Sequence, residues 1–546
     1  MSFHVTAPTV QETDDLIVSS LVSHGTDVEE PAPGEYVVKP YAKEYVFCTK
    51  KKVPKVGVML VGLGGNNGSS FAGMIMANKH KVKWMTKRGE MSANFYGSLT
   101  QATTIRLGKC GEKDVHIPFK NVLPMVEPTD LAIGGWDINN MPLGDAMRRA
   151  QVFDFELQNE LYKYMQPIVP LPSIYDPDYV AANQEERANN VITLPTKQAK
   201  LEKVREDMRN FKKEHNLDTL VILWTANTER FSEITEGIHD TADNLLKGIK
   251  NNEKEISPST MFAVAAILEG NPFINGSPQN TLVPGVVELA LRHQVFISGA
   301  DFKTGQTKIK SVLTDFLVSS GLKPRSIVSY NHLGNNDGAN LSAAKTFKSK
   351  ETSKMHVVDD IFLSNPVLYP NPEKDQPDHC IVIKYIPFVQ DSKRAMDEYS
   401  SEICMGGLNT IVLHNTCEDS LLAIPVMLDL VVLTELFTRI RIGERSGKTE
   451  KGHDAMKPLP SSKSSLLDGV EMFSFHPLLG AILGFLLKAP MFPKGVPVVN
   501  SLFKQRQCLE NLLRACRGLN TRTCIGLNKM YSAIQIGEED RKKIGK

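Results

Sequence analysis

An α/β fold, with a parallel sheet covered by helices and then a second, mixed or antiparallel sheet, is what the sequence predicts from three observations. The apolar run VGVMLV at 56–61 passes into GLGGNNG and then into a helix-forming stretch at 69–78. Short buried-strand runs and helical runs alternate from there to about residue 308. Beyond that point, HCIVIKYIPF and NTIVLHN alternate apolar and other residues, a period of two that suits half-buried strands.

Residues 1–53 are polar, carry Pro31, Pro33 and Pro40, and read as an arm laid over the rest. The VGVMLV run is continuous and β-branched, the pattern of a parallel strand covered on both faces. LVILW at 220–224 is a second such strand, followed by the polar loop TANTER. Ser257 and Pro258 supply an N-cap and first helical position for MFAVAAILEG. Pro284 opens another helix, and 295–298 is strand-like. After residue 420 apolar helical stretches return and end in KQRQCLENLLRACRGL, and the basic segment 521–546 reads as a loose tail.

At 546 residues the chain is long enough for two or three cored domains. A net charge of +1 gives no global basic field, which excludes nucleic acid as an expected partner. The start MSFHVTAPTVQETDD lacks a basic-then-apolar run, so no secretory signal is expected. The apolar segment 421–436 is broken by Pro425, Asp429 and Glu435, and 477–487 is short, so no membrane span is expected. Eight cysteines without a CxxC pair fit reduced thiols in a cytoplasmic protein, and each is expected to be a buried small hydrophobe.

Gly62, Gly64 and Gly68 lie where a pyrophosphate meets a helix N-terminus, between a strand and a helix. The usual sixth-place glycine is Asn67 here, with Gly68 one position later. The acidic residue normally found about twenty positions on is missing from KVKWMTKRGE, so Asp137 in GGWDIN is the candidate for the ribose; an exposed turn aspartate is its bland alternative. SYNHLGNNDGANLSAAKTFKSKETSK combines amides, Gly334 and Gly338 with Lys345, Lys348, Lys350 and Lys354, the composition of an anion site or of a solvated basic helix face. GADFKTGQTKIK offers Asp301, Thr304 and Gln306, with Thr304 also placed to cap the following helix. QDSKR offers Asp391 and Lys393, for which a surface ion pair is the ordinary reading. Lys488 closes an apolar helix and either snorkels or is desolvated with a lowered pKa. The histidines form no spaced ligand set, and no metal site is expected.

Twelve segments carry a resemblance across residues 54–515: LVGLGGNNGS, GWDIN, AANQEERANN, LWTANTER, INGSPQNTLVPG, DFKTGQTK, SYNHLGNNDG, SKETSK, DHCIVIKY, QDSK, HNTCEDSLLA and LKAP. The chain resembles the inositol 3-phosphate synthase family, also called myo-inositol 1-phosphate synthase, of eukaryotic type. The resemblance implies a Rossmann NAD-binding domain at 54–308 and an inserted α+β catalytic and tetramerisation domain at 309–420. It also implies a C-terminal return segment at 421–520 that packs with the arm at 1–53, and a homotetramer. The implied reaction takes D-glucose 6-phosphate to 1D-myo-inositol 3-phosphate by oxidation at C5, proton loss from C6, closure of the enolate onto C1 and re-reduction at C5. NAD is regenerated in each turnover.

Carried over residue by residue, the resemblance puts Gly64, Gly65, Asn66 and Asn67 against the cofactor and Asp137 at the ribose. Ser173, Ile174, Gln184, Arg187, Thr225, Ala226, Asn227, Thr228, Gly276 and Ser277 line the same groove. Asp301, Thr304, Asn335, Asn336, Asp337, Lys350, Asp391, Ser392, Asp419 and Ser420 surround the nicotinamide end. Lys350, Lys354, Lys393 and Lys488 match the catalytic lysines, with Asp301, Asn331 and Asp337 beside them. Lys350 and Lys393 are assigned to the oxygens and proton transfer at C5 and C1, and Lys354 and Lys488 to the phosphate or enolate. Whether an ammonium, potassium or magnesium ion accompanies the nicotinamide stays open. Ala300 stands where a second aspartate is usual, Gln390 where glycine is common, and Thr304 where serine is usual. Two alternatives remain beside the isomerase: a sugar-phosphate dehydrogenase releasing NADH, and a non-catalytic NAD-binding sensor.

Overall fold

The computed structural model describes residues 3–355, 357–371, 374–445 and 465–522. The expected loose tail falls almost wholly on 523–546, outside the described residues.

Six parallel strands form the first sheet, in the spatial order Leu171–Pro172, Ala132–Asp137, Val56–Val61, Thr219–Trp224, Phe273–Asn275 and Ile297–Ser298. Val58 and Leu60 pack into one apolar cluster, with the helix Asn66–Lys79. Met59 and Val61 pack into another, with the helices Lys197–Glu214 and Pro258–Leu268. The run VGVMLV is continuous because both faces of its strand are covered, each large side chain adding about 1.5–3 kcal/mol of burial.

The order of the strands reverses between Val56–Val61 and Thr219–Trp224, which pair in register from Val56 opposite Thr219 to Val61 opposite Trp224. Loops leaving their carboxyl ends turn to opposite sides and open a crevice. That crevice is where the glycine turn and TANTER lie.

The second sheet is mixed, in the order Asp378–Tyr385, Lys323–Leu333, Ser392–Glu402 and Leu408–Glu418, with its first pair parallel and the others antiparallel. Ile327 and Tyr399 point inward, into a cluster with Leu317, Val318, Ile361 and Phe362. Tyr330, Met396 and Val412 are exposed on the opposite face.

The helix Asp419–Thr438 then runs back into the core of the first sheet against Asn66–Lys79. Its two interior acids are used there. Asp429 accepts hydrogen bonds from Ser98 Oγ, from the Leu99 and Thr100 amides and from Thr100 Oγ1, and Glu435 pairs with Arg439 at 2.6 Å.

The N-terminal segment is a two-stranded ribbon, Leu16–Ala32 against Glu35–Lys50. The second of these strands pairs with Ile440–Glu444, and Ser19 Oγ donates to Ala515 O at 2.6 Å. Domain limits drawn after residues 308 and 420 fall inside the helices Gly305–Ser319 and Asp419–Thr438, because each helix is continuous across the change of layer.

One composition-based expectation is corrected. Cys508 and Cys516 are buried, but Cys110, Cys380 and Cys404 are exposed and Cys48 and Cys417 half-buried, since these five sit on strands or turns that reach solvent. Cys524 lies outside the described residues.

Candidate functional site

The glycine turn is built by sterics. Gly62 has φ +94°, and a Cβ there would lie 2.6 Å from Ala226 Cα. A Cβ on Gly68 would lie 2.4 Å from the carbonyl oxygens of Gly62 and Leu63, so the seventh-place glycine provides the close helix-to-turn contact. Gly65 caps the helix Asn66–Lys79 without a side-chain hydrogen bond, which leaves first-turn amides for a ligand. Asp137, at the end of the neighbouring strand, is buried and accepts from Gly64 N at 2.9 Å and Asn139 N at 3.0 Å. Burial pushes its carboxyl up, and Arg187 at 3.8 Å and the two amides oppose that. It is not the exposed turn aspartate of the bland alternative.

A cleft runs from this turn along the carboxyl ends of the strands. Gly65, Asn66, Asn67, Asp137, Ser173, Ile174, Gln184 and Arg187 line one end, and Thr225–Thr228, Gly276 and Ser277 line its middle. Asp301, Thr304, Asn335, Asn336, Asp337, Lys350, Lys393, Asp419 and Lys488 line the rest. The second sheet supplies the roof. Asn336 Nδ2 donates to Gln184 Oε1 at 2.9 Å and Asn227 Oδ1 at 3.1 Å, while Asp337 accepts from Thr228 N and Oγ1 at 2.9 and 3.0 Å.

The lysines divide. Lys350 Nζ donates to Asp301 Oδ1 and Lys488 Nζ to Asp301 Oδ2, both at 3.0 Å, and Lys393 Nζ reaches Asp419 Oδ1 at 3.2 Å. Lys354 and Asn331 are not on the cleft wall; Lys354 Nζ donates to Asn331 Oδ1 at 3.1 Å in a buried position. Three of the four predicted catalytic lysines therefore share one cavity and the fourth stands behind it. Lys345 donates to the carbonyls of Pro177 and Asp178, and Lys348 is exposed, so these two form the solvated face and Lys350 and Lys354 the inward one.

Gly64, Asp391, Ser392 and Ser420 are also off the main cleft wall. Asp391 is no surface ion pair: it is buried, accepts from Ser420 N and Oγ and from Asn66 Nδ2, and so ties the glycine turn to the second sheet. Gln390 before it has φ +48°, a backbone state that favours glycine, and its side chain donates to Gln151 Oε1 at 2.6 Å. Thr304 occupies the N-cap of its helix but makes no side-chain capping bond. Its hydroxyl is not spent on the helix.

Electrostatics separates the ammonium groups. Burial pushes the Asp301 carboxyl up, but Lys350 and Lys488 outweigh it and hold it at about 2. Burial pushes Lys488 down to about 7, with Asp301 opposing and Lys350 and Lys393 adding repulsion. For Lys350, burial is outweighed by Asp301 and Asp337, and its pKa is raised. Lys354 lies well below the ordinary lysine range, from burial and from the charges of Lys393, Lys488, Lys310 and Lys350. Desolvation thus makes Lys488 and Lys354 the easiest to deprotonate and leaves Lys350 a fixed cation.

Four participants escaped the sequence reading. Ser353 Oγ donates to Asp301 Oδ2 at 3.1 Å, and Glu229, buried on the cleft wall, accepts from Ser259 N and Oγ. Lys310 is buried with Nζ 2.8 Å from His379 Nε2, and Tyr175 lines the cleft. The fixed offset from Lys350 to Ser353 on a helix was a usable signal; the other three are set by tertiary packing alone.

A family model described as myo-inositol-1-phosphate synthase matches residues 56–514. The chain is 54% identical over 519 residues to inositol-3-phosphate synthase of Dictyostelium discoideum, covering 95% of this chain and 96% of that one. It is 55% identical over 521 residues to inositol-3-phosphate synthase 1 of Populus euphratica, covering 95% and 97%. The crystal structure of inositol-3-phosphate synthase from Caenorhabditis elegans superposes with a TM-score of 0.89 at 48% identity, covering 97% of this chain and 98% of that chain.

Proposed function

The chain belongs to the myo-inositol-1-phosphate synthase family, and from that premise we propose that it is an NAD-dependent isomerase. It converts D-glucose 6-phosphate to 1D-myo-inositol 3-phosphate, the first committed step of inositol biosynthesis. The observation that carries this reading is the grouping of Lys350, Lys393 and Lys488 around Asp301 and Asp419 in the cleft that starts at the glycine turn.

The residues present fit NAD. Tyr175 Oη and Asn227 Nδ2, on cleft-lining residues, are buried without a hydrogen-bond partner, and the first-turn amides after Gly65 have no side-chain cap. Gly65, Asn66 and Asn67 would hold the pyrophosphate, Asp137 the ribose, and Asp301, Thr304 and Asp337 the nicotinamide end. When bound, NAD supplies reversible oxidation at C5 of the sugar.

The chain's own groups manage charge and protons. Lys350, always an ammonium, holds negative charge on the reacting oxygens, and preorganised donors of this kind contribute about 2.7–4 kcal/mol each. Lys488, near 7, exchanges a proton at neutral pH and is the residue best suited to act as base. Lys393, paired with Asp419, faces the same space. Lys354, with Asn331, backs the cavity from behind the wall, while the phosphate or enolate end falls to Lys488 and Lys393, which line the cleft. The roof contacts of Asn336 and Asp337 fix the second sheet over the middle of the cleft.

Mixing the protein with NAD and glucose 6-phosphate tests the reading: inositol phosphate should accumulate with no lasting NADH absorbance. NADH in proportion to substrate would instead indicate a dehydrogenase, and NAD binding without turnover a sensor.

Three finer points belong to the same proposal. The protein is a homotetramer, assembling through the second sheet, whose outward Tyr330, Met396 and Val412 leave apolar surface to cover; light scattering checks the mass. It works in the cytoplasm, consistent with unpaired cysteines, and fractionation checks this. An ammonium, potassium or magnesium ion near Asp391 and Asp419 would relieve the repulsion that, with burial, raises the Asp391 pKa, and would be read as salt-specific activation.

A further inference from the structure

Asp301 has a main chain pinned by backbone bonds and a carboxylate held by side chains alone. Its backbone sits at φ +62°, its N donates to Ser277 O at 3.1 Å, and its O accepts from Lys488 N at 2.8 Å. The terminal carboxylate torsion is broad, so the backbone does not fix the plane in which the two equivalent oxygens lie. Lys350 and Lys488 reach it at the ends of four-carbon stems, with more torsions than a serine has. The third donor is different: Ser353 has a short side chain, is 3% exposed, and lies three residues after Lys350 on the helix Ala344–Met355, on the same face. A serine within a helix usually returns its hydroxyl to a carbonyl of the preceding turn. Ser353 donates to Asp301 Oδ2 instead, the oxygen that also accepts Lys488 Nζ.

Resting on the isomerase reading above, we propose that Ser353 is a positioning residue for the reaction, its hydroxyl fixing the plane of the Asp301 carboxylate so that one oxygen serves Lys350 and the other, shared with the hydroxyl, serves Lys488. Because the hydroxyl shares Oδ2, that oxygen has less negative charge to offer Lys488, while Oδ1 serves Lys350 alone. The asymmetry adds to a division already set by burial of Lys488 and by Asp337 beside Lys350: a permanent cation on one side, a proton carrier on the other. Asp301 is 3% exposed, so bulk water is a poor substitute for the hydroxyl. The charged groups acting on Lys488 are Asp301, Lys350, Lys393, Lys354 and Asp419, and the Ser353 change leaves all of them in place.

The test is Ser353→Ala, with Ser353→Cys as a variant that keeps the volume and weakens the donor. Inositol phosphate formation is followed as kcat and KM against pH, with NAD binding and Tm measured in parallel. Losing a hydrogen bond to a charged group predicts a kcat lower by about 10- to 100-fold, with KM for glucose 6-phosphate and NAD affinity retained. The acid limb of kcat should move to higher pH, because Oδ2 without its hydroxyl holds the Lys488 ammonium more tightly. Ser353→Thr should restore both. A kcat and acid limb equal to wild type overturn the role, as does a loss confined to KM, to NAD binding or to Tm. Wild-type protein that makes no inositol phosphate overturns the isomerase reading itself, which the same assay shows before any variant is compared.

Discussion

Replacing Asp301 by asparagine removes the one charge that Lys350 and Lys488 share, each at 3.0 Å. With the carboxyl held at about 2 against an ordinary value of 3.8, it stabilises the fold by roughly 2 kcal/mol at neutral pH. That stability is complete above the unfolded value and is lost as pH falls toward about 2, so the variant loses it at pH 7 and its stability curve flattens over that acid window. Removing one partner of a buried ion pair costs about 3–5 kcal/mol when the other stays charged. Here Lys488 stands near 7 and can release its proton, so the measured loss should fall toward the smaller figure. Turnover should drop by about 10²–10³, the effect of losing one preorganised electrostatic group. Without the carboxylate both lysines deprotonate more readily, so the acid limb of kcat should move to lower pH, opposite in sign to Ser353→Ala. Denaturant unfolding at neutral and acid pH, with kcat across the neutral range, measures all three effects. An acid limb that stays in place, or moves up, refutes the assignment of Lys488 as the titrating group set by Asp301.

Lys350→Ala should abolish turnover to within the limits of an inositol phosphate assay while NAD still binds by fluorescence quenching, since Lys350 lines the reacting end and not the glycine turn. Asp137→Ala should weaken NAD binding by about 10- to 100-fold in titration calorimetry, because its carboxylate orders Gly64 and Asn139 as well as facing the cleft. Gly68→Ala should lower Tm and NAD affinity together, the added Cβ meeting two carbonyl oxygens at 2.4 Å; scanning calorimetry and NAD titration check both.

The first sheet was legible because burial on both faces writes itself as continuous apolar runs, as in VGVMLV and LVILW. The glycine turn was legible because its backbone admits few other residues. The N-terminal ribbon was read merely as an arm. Half of it, including Val28, Tyr36 and Val38, is exposed on both strands, so no apolar alternation marks it as sheet. The cysteines misled for a related reason: Cys380 and Cys404 lie where the second sheet and its turn face outward, and composition does not encode which face that is. The split between Lys350 and Lys354 was beyond the sequence, although both share a helix face. One meets Asp301, from the first sheet, and the other Asn331, from the second, and the docking of the two layers decides which.

The pairing of Glu35–Lys50 with Ile440–Glu444, and of Ser19 with Ala515, clasps the beginning of the polypeptide to its end. A nascent chain on the ribosome therefore carries the ribbon with an unsatisfied edge until the strand Ile440–Glu444 has emerged. Premature termination before residue 419 would leave that edge open and the Asn66–Lys79 helix stripped of its Asp419–Thr438 cover. Such fragments should be cleared by quality control and not persist as half-active pieces, and dissecting the protein for expression at the apparent layer boundary should give insoluble halves.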